Sequence, residues 1–175
     1  MNIIELKKYA PIYIIGHAKP DTDTIISSKV LSDIFNYYGI NSYYAILEDN
    51  YNLNDYDAGM INECLNYNPV VIKMNEINNY NYFLVDHNDP MQSIGYNDNV
   101  IGCIDHHIDS HKTNDNKLLF NYCSTALSIY KLFKDEYCFS KDQLYQIYLA
   151  TLNDSTFYKS SRFEEKDKEL IDNLG

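Results

Sequence analysis

The segment Gly16–Thr24 reads GHAKPDTDT. One imidazole and two carboxylates, His17, Asp21 and Asp23, follow the apolar run PIYIIG directly. Imidazole and carboxylate together are donors for a divalent cation. They also suit a polar turn, which Pro20 and Asp21 would form without any ligand. Two further segments repeat the combination. VDHND carries Asp86, His87 and Asn88, and IDHH carries Asp105, His106 and His107. A fourth, LNDSTFYKS, supplies Asp154. Taken singly, each Asp is a helix cap or turn residue and each His an ordinary satisfied side chain. Yet four of the five histidines fall in these segments. The fifth, His111, lies in a polar loop and reads as solvated.

If one crevice received all of these groups, its charge would need an answer. Asp21, Asp23, Asp86, Asp105 and Asp154 repel one another unless some take up protons or cations are bound. A mixed set of imidazole and carboxylate, with no thiolate, favours Mn²⁺, Zn²⁺, Co²⁺ or Fe²⁺ over an all-oxygen Ca²⁺ site. A carboxylate shared by two ions ~3.5–4 Å apart is an arrangement that activates water against phosphorus.

The elements that must position these groups are short. Residues 11–16, 42–47, 69–73, 82–87 and 100–107 read as five strands, several without the alternation of a half-exposed strand. Residues 23–38 follow helical spacing up to Gly39. Residues 57–66 read as a short helix before Pro69. Residues 124–136 form an amphipathic run that Ser124 or Thr125 would cap. Residues 140–152 open with Ser140 and Gln143 at capping-box spacing. Residues 164–174 read as a charged, exposed helix. Strands alternating with helices predict a doubly wound, Rossmann-like α/β domain, with a mostly parallel five-stranded sheet and helices on both faces. In such a sheet ligands sit beyond the carboxyl ends of the strands, where three of the four clusters fall.

The 175 residues suffice for one domain with a core. Lys and Arg number 14 against 25 Asp and Glu, a formal net charge of −11. That balance opposes nucleic acid and anionic membrane as partners. No apolar run approaches the ~20 residues of a membrane span. Cys64, Cys103, Cys123 and Cys138 form no CxxC pair, and the charged N-terminus does not read as a leader, so a reduced, cytoplasmic protein is expected.

Taken together and in order, GHAKPDTDT, VDHND, IDHH and LNDSTFYKS resemble the motifs of the DHH phosphoesterase superfamily. The PDTDT ending, PMQS after VDHND and FYKS in the fourth motif resemble its family II inorganic pyrophosphatases. The likeness spans about residues 12–160. It implies a dimetal centre in which His17 and Asp21 hold one ion, Asp23, His106 and Asp154 the other, and Asp86 both. His107 would face the substrate phosphate, Asp105 would orient the adjacent imidazoles, and His87 and Asn88 would lie near the substrate. Mn²⁺ is implied, with Co²⁺ as an alternative and Mg²⁺ accompanying the substrate. The implied reaction is hydrolysis of diphosphate to two phosphates by a water that the dimetal centre activates. Members of that family pair through this domain, which implies a homodimer.

The resemblance also implies a second domain whose Lys and Arg grip diphosphate, and Gly175 falls near where it would begin. The 175 residues are therefore expected to form a single DHH domain without that clamp, with impaired turnover. Arg162 is the only Arg, and it and Lys159 read equally well as solvated. Two alternatives remain open at this point: a phosphoesterase for short nucleotides or polyphosphate, and a truncated metal-binding module without catalysis.

Overall fold

A computed structural model describes residues 3–48, 67–113 and 116–174. The short helix expected over 57–66 lies outside the described residues. Six strands form one sheet: β1 (Ile12–Ile15), β2 (Ser42–Leu47), β3 (Val70–Ile72), β4 (Asn81–Val85), β5 (Val100–Asp105) and β6 (Lys117–Leu119). Every pairing is parallel and the order is β3-β2-β1-β4-β5-β6. The sequence predicts five of these strands and misses β6. Its three residues, all half-buried, follow a polar loop and carry too little apolar signal to stand out.

β-strand alternation sorts the core into two layers. Ile12, Ile14, Phe83 and Val85 face one layer, and Ile15, Tyr82 and Leu84 face the other. In β5 the pattern breaks, because Tyr82 pairs with Val100 but Phe83 pairs with Gly102. That extra residue is a bulge, and it puts Ile101 and Ile104 in the same layer although they are three apart.

Among the described residues the first layer is covered by four α-helices: α1 (Thr22–Tyr37), α2 (Thr125–Phe133), α3 (Lys141–Asp154) and α4 (Glu165–Ile171). The second layer is covered, among the described residues, by 3-10 turns at Met74–Asn79 and Pro90–Gln92. Helix α1 is central. It packs on β1, β2 and β4 and also on α2 and α3, so even Ser27, Ser28 and Ser32 are buried. Gly39, at φ +72°, ends it in the left-handed conformation that favours glycine. The expected capping box of α3 is present, with the Ser140 hydroxyl and the Gln143 side chain each bonding the other's backbone N–H.

Helix α4 departs from expectation. It is shorter than 164–174, and it is not a solvated helix: Asp167 and Leu170 are buried, and Leu170 belongs to the core. Its charged composition hid a narrow inward stripe.

The parallel register brings the ends of β1, β4 and β5 to one edge. The chain leaves β1 for β2 on one side, while β4 lies on the other. A crevice therefore opens between the ends of β1 and β4, where this sheet reverses its strand order.

Candidate metal centre

Asp86 occupies that crevice, one residue past β4. Its φ of +62° is a left-handed conformation that costs a non-glycine residue about 1–3 kcal/mol. The conformation is held from several sides. The Asp86 amide donates to the Ile104 carbonyl at 3.1 Å. The carboxylate accepts the Thr24 hydroxyl at 2.7 Å and the Thr125 hydroxyl at 3.0 Å. Thr24 can approach only because residue 16 is glycine, since a Cβ there would lie 1.9 Å from Thr24 Cγ2.

Around Asp86 the sequence-predicted donors converge. His17, from the loop after β1, places Nε2 3.4 Å from Asp86 Oδ2 and 3.6 Å from Asp21 Oδ2. Asp21 caps α1, accepting the Thr24 N–H at 2.9 Å. On the other side, His106 Nε2 stands 3.4 Å from both Asp86 Oδ1 and Asp154 Oδ2. Asp23 completes that side as a buried carboxylate that accepts the first N–H groups of α2, from Thr125 at 2.7 Å and Ala126 at 2.9 Å. Three triplets each place one donor atom per residue within 4.8 Å of the others: His17, Asp21 and Asp86; Asp23, His106 and Asp154; and Asp86, His106 and His107.

The ring orientations suit coordination. His106 Nδ1 donates to the Tyr122 carbonyl at 3.1 Å, and His17 Nδ1 to the Ala18 carbonyl at 2.9 Å. Each Nε2 is thereby turned into the cluster, as in metal-bound histidine. His106 Nε2 is buried and makes no hydrogen bond, an unusual state for a buried polar atom. Donors about 2.1 Å from one ion and at right angles stand ~3 Å apart, close to the 3.4 Å seen from this nitrogen to its two carboxylate neighbours. The residues therefore fit a divalent cation.

The electrostatics agree. Burial, and then the charges of Asp86 and Asp154, push the Asp23 carboxyl well above the usual range. Burial, with Asp86 and Asp21 acting against the pull of His106, pushes Asp154 up to about 6. Burial disfavours the imidazolium of His106, but Asp86, Asp23 and Asp154 outweigh it and carry the ring up to about 9. For His17, Asp21 and Asp86 likewise overcome burial and raise it to about 11. Burial opposes ionisation of Asp86, yet His106, His17 and Thr24 hold it far below the carboxylate range. Without a cation, such a cluster would have to settle its charge by holding protons. A divalent cation would neutralise it in their place.

Not every expected residue faces the cluster. Asp105 is buried and accepts His107 Nδ1 at 2.8 Å, so it orients one imidazole rather than two. Its second ring neighbour is replaced by the His106 backbone N–H at 2.8 Å, while the His106 ring answers to Tyr122. His87 spends both ring nitrogens on protein, donating Nδ1–H to the Val85 carbonyl at 2.8 Å and accepting the Ser93 hydroxyl at 2.7 Å. Burial pushes its imidazole down, towards the neutral ring. Asn88 gives its amide N–H groups to Asp105 and the Ile108 carbonyl, and its oxygen accepts the Ser110 N–H. Both residues shape the loops around the cluster, and neither presents a spare polar atom to a substrate. His111 is exposed and pairs with Asp109.

Sequence reasoning missed the supports: Thr24, Thr125, the Tyr122 carbonyl, and Asn153, whose amide donates to Thr22 Oγ1 at 3.1 Å and so ties the end of α3 to the start of α1. Thr24 and Asn153 lie inside the quoted motifs, but nothing in their types separates a brace from a neighbour.

Residues 11–152 match the DHH family, N-terminal domain. The chain belongs to the DHH family. A manganese-dependent inorganic pyrophosphatase of Methanothrix thermoacetophila is 26% identical over 174 residues, covering 93% of this chain and 53% of that protein. The DHH chain therefore spans about half the length of the curated relatives it matches. Among solved structures, a Methanococcus jannaschii protein described as a candidate family II inorganic pyrophosphatase superposes with a TM-score of 0.76 at 24% identity, over 93% of this chain and 54% of its own. A Bacteroides fragilis exopolyphosphatase-related protein does so with 0.65 at 17%, over 98% and 55%. At these identities the two structures establish the fold alone.

Proposed function

We propose that this DHH chain is the metal-binding half of a manganese-dependent inorganic pyrophosphatase, hydrolysing diphosphate to two phosphates at a centre of two Mn²⁺ ions. The observation that carries the proposal is His106 Nε2, buried without a hydrogen bond between Asp86 and Asp154, while His17 and Asp21 stand on the opposite side of the same Asp86 carboxylate. His17 and Asp21 would hold one ion, and Asp23, His106 and Asp154 the other. Asp86, with one oxygen towards each imidazole, would serve both.

Bound there, the ions would supply Lewis acidity towards a water and the phosphoryl oxygens. The chain's own part is to hold the donors. Thr24 and Thr125 fix the Asp86 carboxylate, and Tyr122 and Ala18 fix the two rings. His107, with Nδ1 held by Asp105 and its side chain 38% exposed, keeps Nε2 for the substrate phosphate. Co²⁺ suits the same donors, and Mg²⁺ would accompany the diphosphate anion.

Among the described residues, lysine ion pairs go to Asp33, Asp109, Asp135, Glu164 and Glu165, and none to a cluster carboxylate. The cationic grip on diphosphate belongs, in this proposal, to a partner surface such as the further half of the longer relatives. The 175 residues alone are then expected to bind Mn²⁺ and turn over slowly, because orientation of the phosphoryl group supplies much of such a rate. Pairing of two chains through this domain is part of the same reading, supported by exposed Val70 and Val71 on edge strand β3. A cytoplasmic setting is supported by free Cys103, Cys123 and Cys138. No helix among the described residues is long and apolar enough to cross a membrane.

The test is release of phosphate from diphosphate, and of mononucleotide from short oligonucleotides, with added Mn²⁺, for this chain and for Asp86→Asn. Slow, Mn²⁺-dependent release from diphosphate that disappears in Asp86→Asn is expected. Release unaffected by the substitution, or greater from oligonucleotide, would overturn the reading.

A further inference from the structure

The peptide between Tyr122 and Cys123 is gripped from both ends. Its carbonyl accepts the His106 Nδ1–H at 3.1 Å. Its N–H donates to Asp167 Oδ1 at 2.9 Å. Asp167 lies on α4, fully buried, and its second oxygen accepts the Glu164 N–H at 2.7 Å, closing the capping box of that helix. The same first turn of α4 touches Tyr122 again, with Lys166 Nζ 5.8 Å from the ring centroid.

A helix cap alone does not call for this arrangement. A Gln at this N3 position would close the capping box without a buried charge, as Gln143 does in α3. A buried carboxylate is costly unless fully bonded, and here one of its two bonds is spent on a peptide 44 residues away. That peptide's carbonyl fixes the ring whose Nε2 enters the cluster. An anionic acceptor on the N–H also polarises the amide and strengthens the carbonyl as an acceptor.

We propose that Asp167 is a positioning residue for His106, acting through the Tyr122–Cys123 peptide to aim Nε2 at the ion held with Asp23 and Asp154. The inference rests on the dimetal reading of the cluster, but its geometry can be tested without metal. The Tyr122 carbonyl is the partner at one remove from His106, where loss costs about 10–100-fold in affinity, and Asp167 stands one step beyond it, at the lower end of that range. Asp167 therefore acts on the His106 side and leaves the His17 side untouched.

The experiment compares the full chain with Asp167→Asn and Leu170→Ala. The second loosens the packing of α4 while keeping the carboxylate. Mn²⁺ is titrated alone, with free Mn²⁺ followed by electron paramagnetic resonance. In metal-free protein, the His106 Nδ1–H and Cys123 amide protons are followed by NMR for protection from solvent exchange. Asp167→Asn is expected to weaken one of the two Mn²⁺ sites by about tenfold, leave the other within twofold, and lose protection of the His106 Nδ1–H. Leu170→Ala is expected to lower the melting temperature with both sites within twofold. Equal weakening in both variants would reduce Asp167 to a packing role and overturn the proposal. So would unchanged Mn²⁺ binding and unchanged protection in Asp167→Asn, and in that case the dimetal reading stands. If the parent chain binds no second Mn²⁺, the dimetal reading fails, and the proton protection still decides whether Asp167 orients His106. Should Asp167→Asn not fold, a parent-chain Cys123 amide exchanging at the rate of an open loop overturns the proposal, and one as protected as a core strand supports it.

Discussion

The two sides of Asp86 are built differently. The His17 side comes from a single loop, with His17 and Asp21 four residues apart and their side chains 21% and 41% exposed. The His106 side draws on the end of β5, the first turn of α1 and the last turn of α3, and the His106 side chain is 1% exposed. The first is a local motif that water can reach and refill. The second exists only once distant elements have packed, and although Asp154 there is 27% exposed, His106 and Asp23 are buried where water does not readily replace them. An ion on the His106 side would bind β5, α1 and α3 together. One on the His17 side would mainly organise a loop.

This contrast can be broken at its centre or sharpened at either side. The largest effect is expected at the shared carboxylate. Asp86→Asn should lower Mn²⁺-dependent turnover by roughly 10³-fold, the several kcal/mol that catalytic metal supplies, and reduce binding on both sides, as phosphate release and metal titration would show. Next come the single rings. His106→Ala should weaken one Mn²⁺ site by about 100-fold or more, and His17→Ala the other by roughly tenfold, since losing a ligand costs at least what losing its outer partners does and only the exposed His17 position regains a water. Equal losses in calorimetry would remove the distinction between the sides.

Stability sharpens it further. Mn²⁺ at about 100 times its dissociation constant adds about 2.7 kcal/mol per site, or about 5–10 °C in melting temperature for a chain of this size. Both gains should vanish in Asp86→Asn, while His106→Ala should lose most of the gain from its own site and keep that from the other. The smallest effects belong to caps. Asp21→Ala and Ser140→Ala each remove an N-cap hydrogen bond and should each cost about 1 kcal/mol, or about 2–4 °C. Only Asp21→Ala should also weaken Mn²⁺, so the pair separates capping from ligation.

The same contrast governs what the sequence makes legible. His17, Asp21 and Asp23 stand in one short motif, and the apolar runs that lead into Asp86 and Asp105 are enough to place those carboxylates at strand ends. The parallel sheet and the capping box of α3 follow from patterns that reach only a few residues. What stays hidden acts at long range or through backbone. Tyr122 contributes a carbonyl, which every residue type possesses. Asp167 looks like one more charge on a polar helix until burial shows which way it points. His87 and Asn88 make a related point: their types suit substrate, while the bonds they make to neighbouring loop groups cannot be read from a short motif. Strand β6 is half-buried along its length, so it lacks the apolar run that marks the other interior strands.

The central claim is that one carboxylate, Asp86, serves two ions. The direct measurement is the electron paramagnetic resonance spectrum of the Mn²⁺-saturated chain, alongside its bound-metal stoichiometry. Two ions per chain with the broadened, exchange-coupled signal of a close pair, replaced in Asp86→Asn by the signal of isolated Mn²⁺ or by none, is the predicted result. One ion per chain, or two with the resolved six-line signal of separate sites in the parent chain, would contradict it.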